Sequence, residues 1–131
     1  GAIGLFIKAL FPDQKVTLSD INSRAIEYSA INARENNLEV ELVKSDLFGN
    51  LPDRLFDDIV TNPPIAAGKK LNTELIQQSY EFLRAGGSLW VVAFHNKGGS
   101  TLKKIMENRY GNAHDVVKSG GIRVYRSIKA P

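Results

Sequence analysis

The chain has 131 residues, 43% of them apolar and 24% charged, with two histidines and no cysteine. This is enough for a core without staples, and it excludes a disulfide framework and a thiolate metal site. Net charge is +3, unevenly spread: residues 1–95 carry 9 Lys/Arg against 12 Asp/Glu, whereas residues 96–131 carry 8 against 2.

Such an asymmetry suits either a basic face that meets a polyanion or a plainly solvated basic end. No window approaches the roughly 18 uninterrupted apolar residues of a membrane span. There is no signal-peptide pattern, and His95 and His114 lack ligand-like spacing. Neither a membrane nor a metal is therefore expected.

In chain order, "GAIGLFIKALFPD" opens on a loop-like glycine without an initiator methionine. Ile3, Phe6, Ile7 and Leu10 then recur at helical spacing until Pro12 stops them. "KVTLSD" (15–20) reads as a strand closed by an acid. A helix follows over 22–37, capped by Asn22 or Ser23, with Ile26, Ala30 and Ala33 inward. "VELVKSD" (40–46) and "FDDIVTN" (56–62) are the next strands.

A helix over 72–85 places Leu75, Ile76, Ser79, Phe82 and Leu83 inward and ends on a Gly-Gly pair. "SLWVVAF" (88–94) is apolar enough for a strand covered on both faces. Ser100 is placed to cap a helix with Leu102, Ile105 and Met106 inward, ended by Gly111. "AHDVVKS", a Gly-Gly turn and "IRVYRSI" form an antiparallel hairpin. Alternating elements of these lengths predict an α/β sandwich with a mainly parallel sheet.

Ligands of such sheets bind beyond the carboxyl ends of the strands. That rule selects the opening glycine loop, Asp20, Asp46 and Asn62-Pro63-Pro64, all expected along one edge.

In this order, "GAIG", "LSD", "SDLF" and "NPPI" resemble the motifs of class I S-adenosylmethionine-dependent methyltransferases. More narrowly, "DIVTNPPIAAGK", "GGSLWVVAF" and "SGGIRVYRS" resemble the methyltransferase-small family. That family includes small-subunit ribosomal RNA guanine-N2 methyltransferases and single-domain archaeal relatives. The resemblance covers essentially the whole chain and implies a Rossmann-like sandwich, S-adenosylmethionine as cofactor and a cytoplasmic location. It also implies a strand and further glycines before Gly1, so residues 1–131 are expected to be one N-terminally truncated domain.

The chemistry of each motif can be argued separately. An exocyclic amine is a poor nucleophile because its lone pair is delocalised into the base. The Asn62 side-chain oxygen and the Pro63 carbonyl can accept both amine hydrogens and favour the pyramidal form. Pro63 and Pro64 restrict the backbone that holds them, and rigid acceptors reorganise little as the reaction proceeds. The plainer reading is a turn that only ends a strand.

Ile65 gives apolar contact without stacking, which the resemblance associates with guanine N2; packing in the core is the alternative. The resemblance assigns Asp20, beside Ile21, to the cofactor ribose, where a carboxylate suits two hydroxyls. It places Asp46 and Leu47 at the adenine, and Gly1 and Gly4 in the cofactor loop. A capping or turn role is the alternative for both aspartates.

Lys69 and Lys70, with Arg123, Arg126 and Lys129, can contact RNA phosphates or remain solvated surface. The target base must leave its stack, so an unpaired guanine is the expected substrate, in ribosomal RNA or the small subunit. Two other outcomes stay open: methylation of adenine N6 or a protein glutamine amide, and a non-catalytic RNA-binding or ribosome-assembly module. A nicotinamide dehydrogenase ranks last, since it gives Asn-Pro-Pro no role.

Overall fold

In a computed structural model, the described residues are 17–20, 23–37, 41–44, 55–61, 63, 68–94 and 99–131, with the backbone alone described at 17–20, 23–26, 41–44 and 94. They divide between two compact units, residues 1–53 and 54–131. The helix expected over residues 3–10 lies outside the described residues.

In the first unit, β1 (Thr17–Asp20) runs parallel to β2 (Glu41–Lys44), with Thr17 opposite Glu41 and Asp20 opposite Lys44. Between them lies α1 (Ser23–Glu35), which buries Ser29 and Ala33 and leaves Tyr28 and Ile31 exposed. Ala30, expected inward, is half-buried. The helix stops because Asn37 turns left-handed at φ 54°, a conformation that asparagine tolerates better than most residues. Its N–H still reaches the Arg34 carbonyl at 3.2 Å.

The second unit is a four-stranded sheet with two helices. The strands are β3 (Phe56–Thr61), β4 (Leu83–Phe94), β5 (His114–Ser119) and β6 (Ile122–Ile128), in spatial order β3-β4-β6-β5. β3 and β4 are parallel, while β6 is antiparallel to both β4 and β5. The parallel ladder and terminal hairpin follow the expectation. α2 (Lys69–Glu81) crosses between β3 and β4, and α3 (Ser100–Tyr110) follows β4.

The core lies on the face of β4 that presents Leu89, Val91 and Ala93. Tyr125 stands on the same face of β6, opposite Val91. Against them pack Ile76 of α2 and Leu102, Ile105, Met106 and Tyr110 of α3. Each fully buried large aliphatic side chain contributes about 1.5–3 kcal/mol. On the opposite face the indole N–H of Trp90 donates to Asp58 at 3.0 Å, and the Arg126 guanidinium lies 4.7 Å from the Trp90 ring centroid.

Three expectations are corrected. The second helix is 69–81 rather than 72–85, and Leu83 is the first residue of β4, paired with Phe56. Leu83 is fully buried as a strand residue, although its spacing also suits the helical stripe. The Gly-Gly pair does not cap the helix; Phe82 does. Residues 84–87 of β4 stand against Asp57 alone, because the pairing resumes at Asp58 with Ser88.

Gly87 sits in that bulge, where a Cβ would stand 2.6 Å from the Asp57 carbonyl and 2.9 Å from the Arg84 carbonyl. Only glycine allows so close a backbone approach. Finally, Ser100 is the first residue of α3 rather than its cap. That position falls to Gly99, which makes no side-chain cap bond, while Gly111 closes the helix as expected.

Candidate active site

β3 and β4 are parallel, so both deliver their carboxyl ends to one edge of the second unit. Thr61, the last residue of β3, pairs with Val91, and β4 continues to Phe94, opposite Ile122. The Gly120–Gly121 turn of the hairpin therefore lies at this edge as well. Pro63, two residues beyond Thr61, is buried.

From this edge the chain enters α2 through Gly68 at φ 99°, a value that side-chain-bearing residues rarely adopt. Lys69 and Lys70, expected on the connection, are the first two residues of the helix, and both are exposed. Their position is electrostatically unusual: the first turn carries two cations and no acid, at the positive end of the helix dipole.

Asn72, in the same turn, is 4% exposed, and its side-chain oxygen has no hydrogen-bond partner. Leaving such an acceptor unpaired costs about 1–3 kcal/mol. The sequence signal for it is a polar residue one turn before the buried Ile76 on the same helix.

The basic residues of the C-terminal segment separate. Arg123 stands opposite Ala93, near the edge, and donates to the Gly120 and Ile122 carbonyls at 3.3 and 3.1 Å. Arg126 is half-buried and held by Trp90 and by a 2.9 Å bond to the Ser88 hydroxyl. Lys129 lies at the opposite end of the sheet. Its ammonium donates to the Tyr80 and Leu83 carbonyls, each at 2.9 Å, so it ties α2 to β4 and does not extend a phosphate track.

Asp20 is the last residue of β1, at the carboxyl end that an open α/β sheet offers to ligands. Gly1, Gly4, Ile21, Asp46, Leu47, Asn62, Pro64, Ile65 and His95 lie outside the described residues. His114 opens β5 and is exposed. Among the described residues, no group of three or more His, Asp or Glu is placed to hold a metal ion, and no helix is long and apolar enough to cross a membrane.

Comparison with known proteins gives this arrangement its context. The family model described as the methyltransferase small domain matches residues 1–126. The chain is 35% identical over 131 residues to YbxB, an uncharacterized protein of Bacillus subtilis, covering 98% of this chain and 65% of that protein. It is also 35% identical over 134 residues to the ribosomal RNA small subunit methyltransferase C of Actinobacillus pleuropneumoniae, covering 99% of this chain and 39% of that one. It thus spans less than two thirds of the length of either relative.

Among solved structures, a methyltransferase from Pyrococcus furiosus superposes with a TM-score of 0.83 at 22% identity, over 99% of this chain and 70% of that one. A 16S rRNA N2 methyltransferase from T. thermophilus, in complex with AdoMet and guanosine, gives 0.77 at 21% identity, over 88% of this chain and 31% of that one. These superpositions identify the class I Rossmann-like methyltransferase fold.

Proposed function

This chain belongs to the methyltransferase small-domain family, and from that premise we propose that its protein methylates the exocyclic N2 of a guanine in RNA, with small-subunit ribosomal RNA as substrate. S-adenosylmethionine is the methyl donor of the family, and it supplies an electrophilic methyl group on a sulfonium. The residues present suit such a nucleoside cofactor. Asp20 closes a parallel strand at its ligand-binding end, and its carboxylate offers two acceptors to the ribose diol. In this reading Gly1 and Gly4 approach the cofactor through their backbone, and Ile21, Asp46 and Leu47 flank its adenosine.

The observation that carries the proposal is the placement of "NPPI". It directly follows the carboxyl end of β3, and Pro63 is buried there. The Asn62 side-chain oxygen and the Pro63 carbonyl accept the two N2 hydrogens and draw the lone pair out of conjugation with the purine. Pro64 biases Pro63 towards extended geometry, and in this reading Ile65 gives the flipped base an apolar wall. The surplus proton leaves to solvent after transfer, so no strong base is required. The curated relatives named as ribosomal RNA methyltransferases support RNA as the substrate class.

The test is transfer of labelled methyl from S-adenosylmethionine to small ribosomal subunits and to their naked RNA by the full-length protein, followed by nucleoside analysis. Label is expected in N2-methylguanosine, with Asn62→Ala lowering the rate by roughly 10²–10³-fold and leaving the melting temperature in place. Label in N6-methyladenosine, or in protein amide, overturns the guanine assignment.

A further inference from the structure

We propose that the groove between α2 and α3 is a track for RNA backbone phosphates, leading to the edge where β3 ends; the inference rests on the RNA reading above. α2 contributes Lys69, Thr73 and Gln77 to the groove, and α3 contributes Thr101, Lys104 and Asn108 above an Ile105 floor. Every polar side chain in that set can donate a hydrogen bond, and among the described residues no carboxylate lines the groove. The set matches a chain of anionic oxygens and is poorly matched to a cation or a basic peptide.

The distribution of ion pairs on α3 sharpens the point. Lys103 reaches Asp115 at 3.3 Å, and Arg109 reaches Glu81 at 2.8 Å. Lys104 and Lys69, the two groove lysines, have no acidic partner among the described residues. Neither α2 nor α3 carries an acid in its first turn, so both positive helix ends keep their uncompensated charge. An anion supplied from outside completes this arrangement.

Position and length select the anion. Both helices follow the carboxyl ends of the adjacent parallel strands β3 and β4, so the groove begins towards the edge at which β3 ends. Lys69 to Gln77 spans roughly 12 Å of helix, which exceeds a single phosphate and suits a short run of polynucleotide backbone. In this placement the groove positions the strand, while the pocket at the end of β3 selects the base.

The experiment measures binding of the full-length protein to small-subunit ribosomal RNA across a potassium chloride series, alongside methyl transfer to the same RNA. Lys69→Gln/Lys104→Gln is compared with Lys103→Gln, whose lysine faces Asp115. The double variant is expected to weaken RNA binding several-fold and to reduce the salt slope by about 0.7 per lysine for single-stranded contacts. Lys103→Gln is expected to leave the slope at the wild-type value, and cofactor affinity should be the same in all three proteins.

An unchanged slope in the double variant, with methyl still transferred to RNA, overturns the groove and leaves the enzymatic reading standing. A lysine-dependent slope without transfer to RNA keeps the groove and overturns the enzymatic reading. A protein with no measurable RNA affinity overturns both.

Discussion

The two ends of the four-stranded sheet are built differently. At the end where β4 begins, polar groups are matched one to another. The Asn112 amide donates to the Ile128 carbonyl and accepts from its N–H, both at 2.9 Å, as a neighbouring strand would. Ser79 donates to the Ile76 carbonyl and shares a 2.6 Å bond with the Tyr110 hydroxyl. Tyr80 lies between the Arg109 guanidinium and the Lys129 ammonium, 3.8 and 4.6 Å from its ring centroid.

At the other end, Lys69 and Lys70 are exposed at a helix start that disfavours them, and the Asn72 oxygen is buried without a partner. The first end gains stability from contacts completed inside the chain. The second carries groups that find no partner among the described residues, a pattern expected where stability is traded for function.

Three measurements test that division. The largest effect is expected from Gly87→Ala, since a Cβ there meets two backbone carbonyls at 2.6 and 2.9 Å. Loss of about 3 kcal/mol in denaturant unfolding is anticipated, with cofactor affinity retained in the folded fraction. Full stability with lost cofactor binding would break the comparison.

Next comes alkaline pH. Burial pushes the Tyr110 hydroxyl up from 10.0 to about 12, against the opposing effect of its hydrogen bond with Ser79. The unfolded chain releases this proton first, so the contribution is intact below pH 10 and declines as pH rises towards 12, by about 1.4 kcal/mol per unit. Tyr110→Phe should flatten that part of the stability profile. A slope that survives the substitution would assign the titration elsewhere.

The smallest effect is also the one of opposite sign. Asn72→Leu removes an unpaired buried acceptor and should stabilise the fold by about 1 kcal/mol, read as a raised unfolding midpoint. A fall in stability would show that Asn72 is a structural residue, and the two ends would then differ less.

Where local chemistry decides, the structure was legible in the sequence. α3 ends on Gly111 and the hairpin turns at Gly120–Gly121, because helix termination and hairpin closure depend on the residues at those points. The boundary at 82–83 was not legible. Leu83 fits the inward stripe of a helix and the inward face of a strand equally well, and the choice is made by contacts distant in sequence. Phe56 pairs with it, and the Lys129 backbone bonds Gly86 and Gly87 at 2.9 and 2.8 Å.

For the candidate site, the sequence signal is residues of uncommon chemistry, as with Asn62-Pro63-Pro64 directly after β3. Lys129 was misjudged because charge alone does not tell a surface cation from one that ties carbonyls together. Asn72 was missed because a helical asparagine ordinarily faces water, and nothing beside it in the sequence marks this one as enclosed.

The hairpin has a bearing on how the molecule behaves in company. β5 is an outer strand, exposed along its length, and it shows Val116 and Val117 to solvent, the kind of margin on which further strands can assemble. Its pairing with β6 shifts between Asp115 and Val117, and Lys118 stands just beyond that shift. An irregular, charged margin is a poor template for another strand, so the same few residues that finish the sheet also discourage its growth from one molecule into the next.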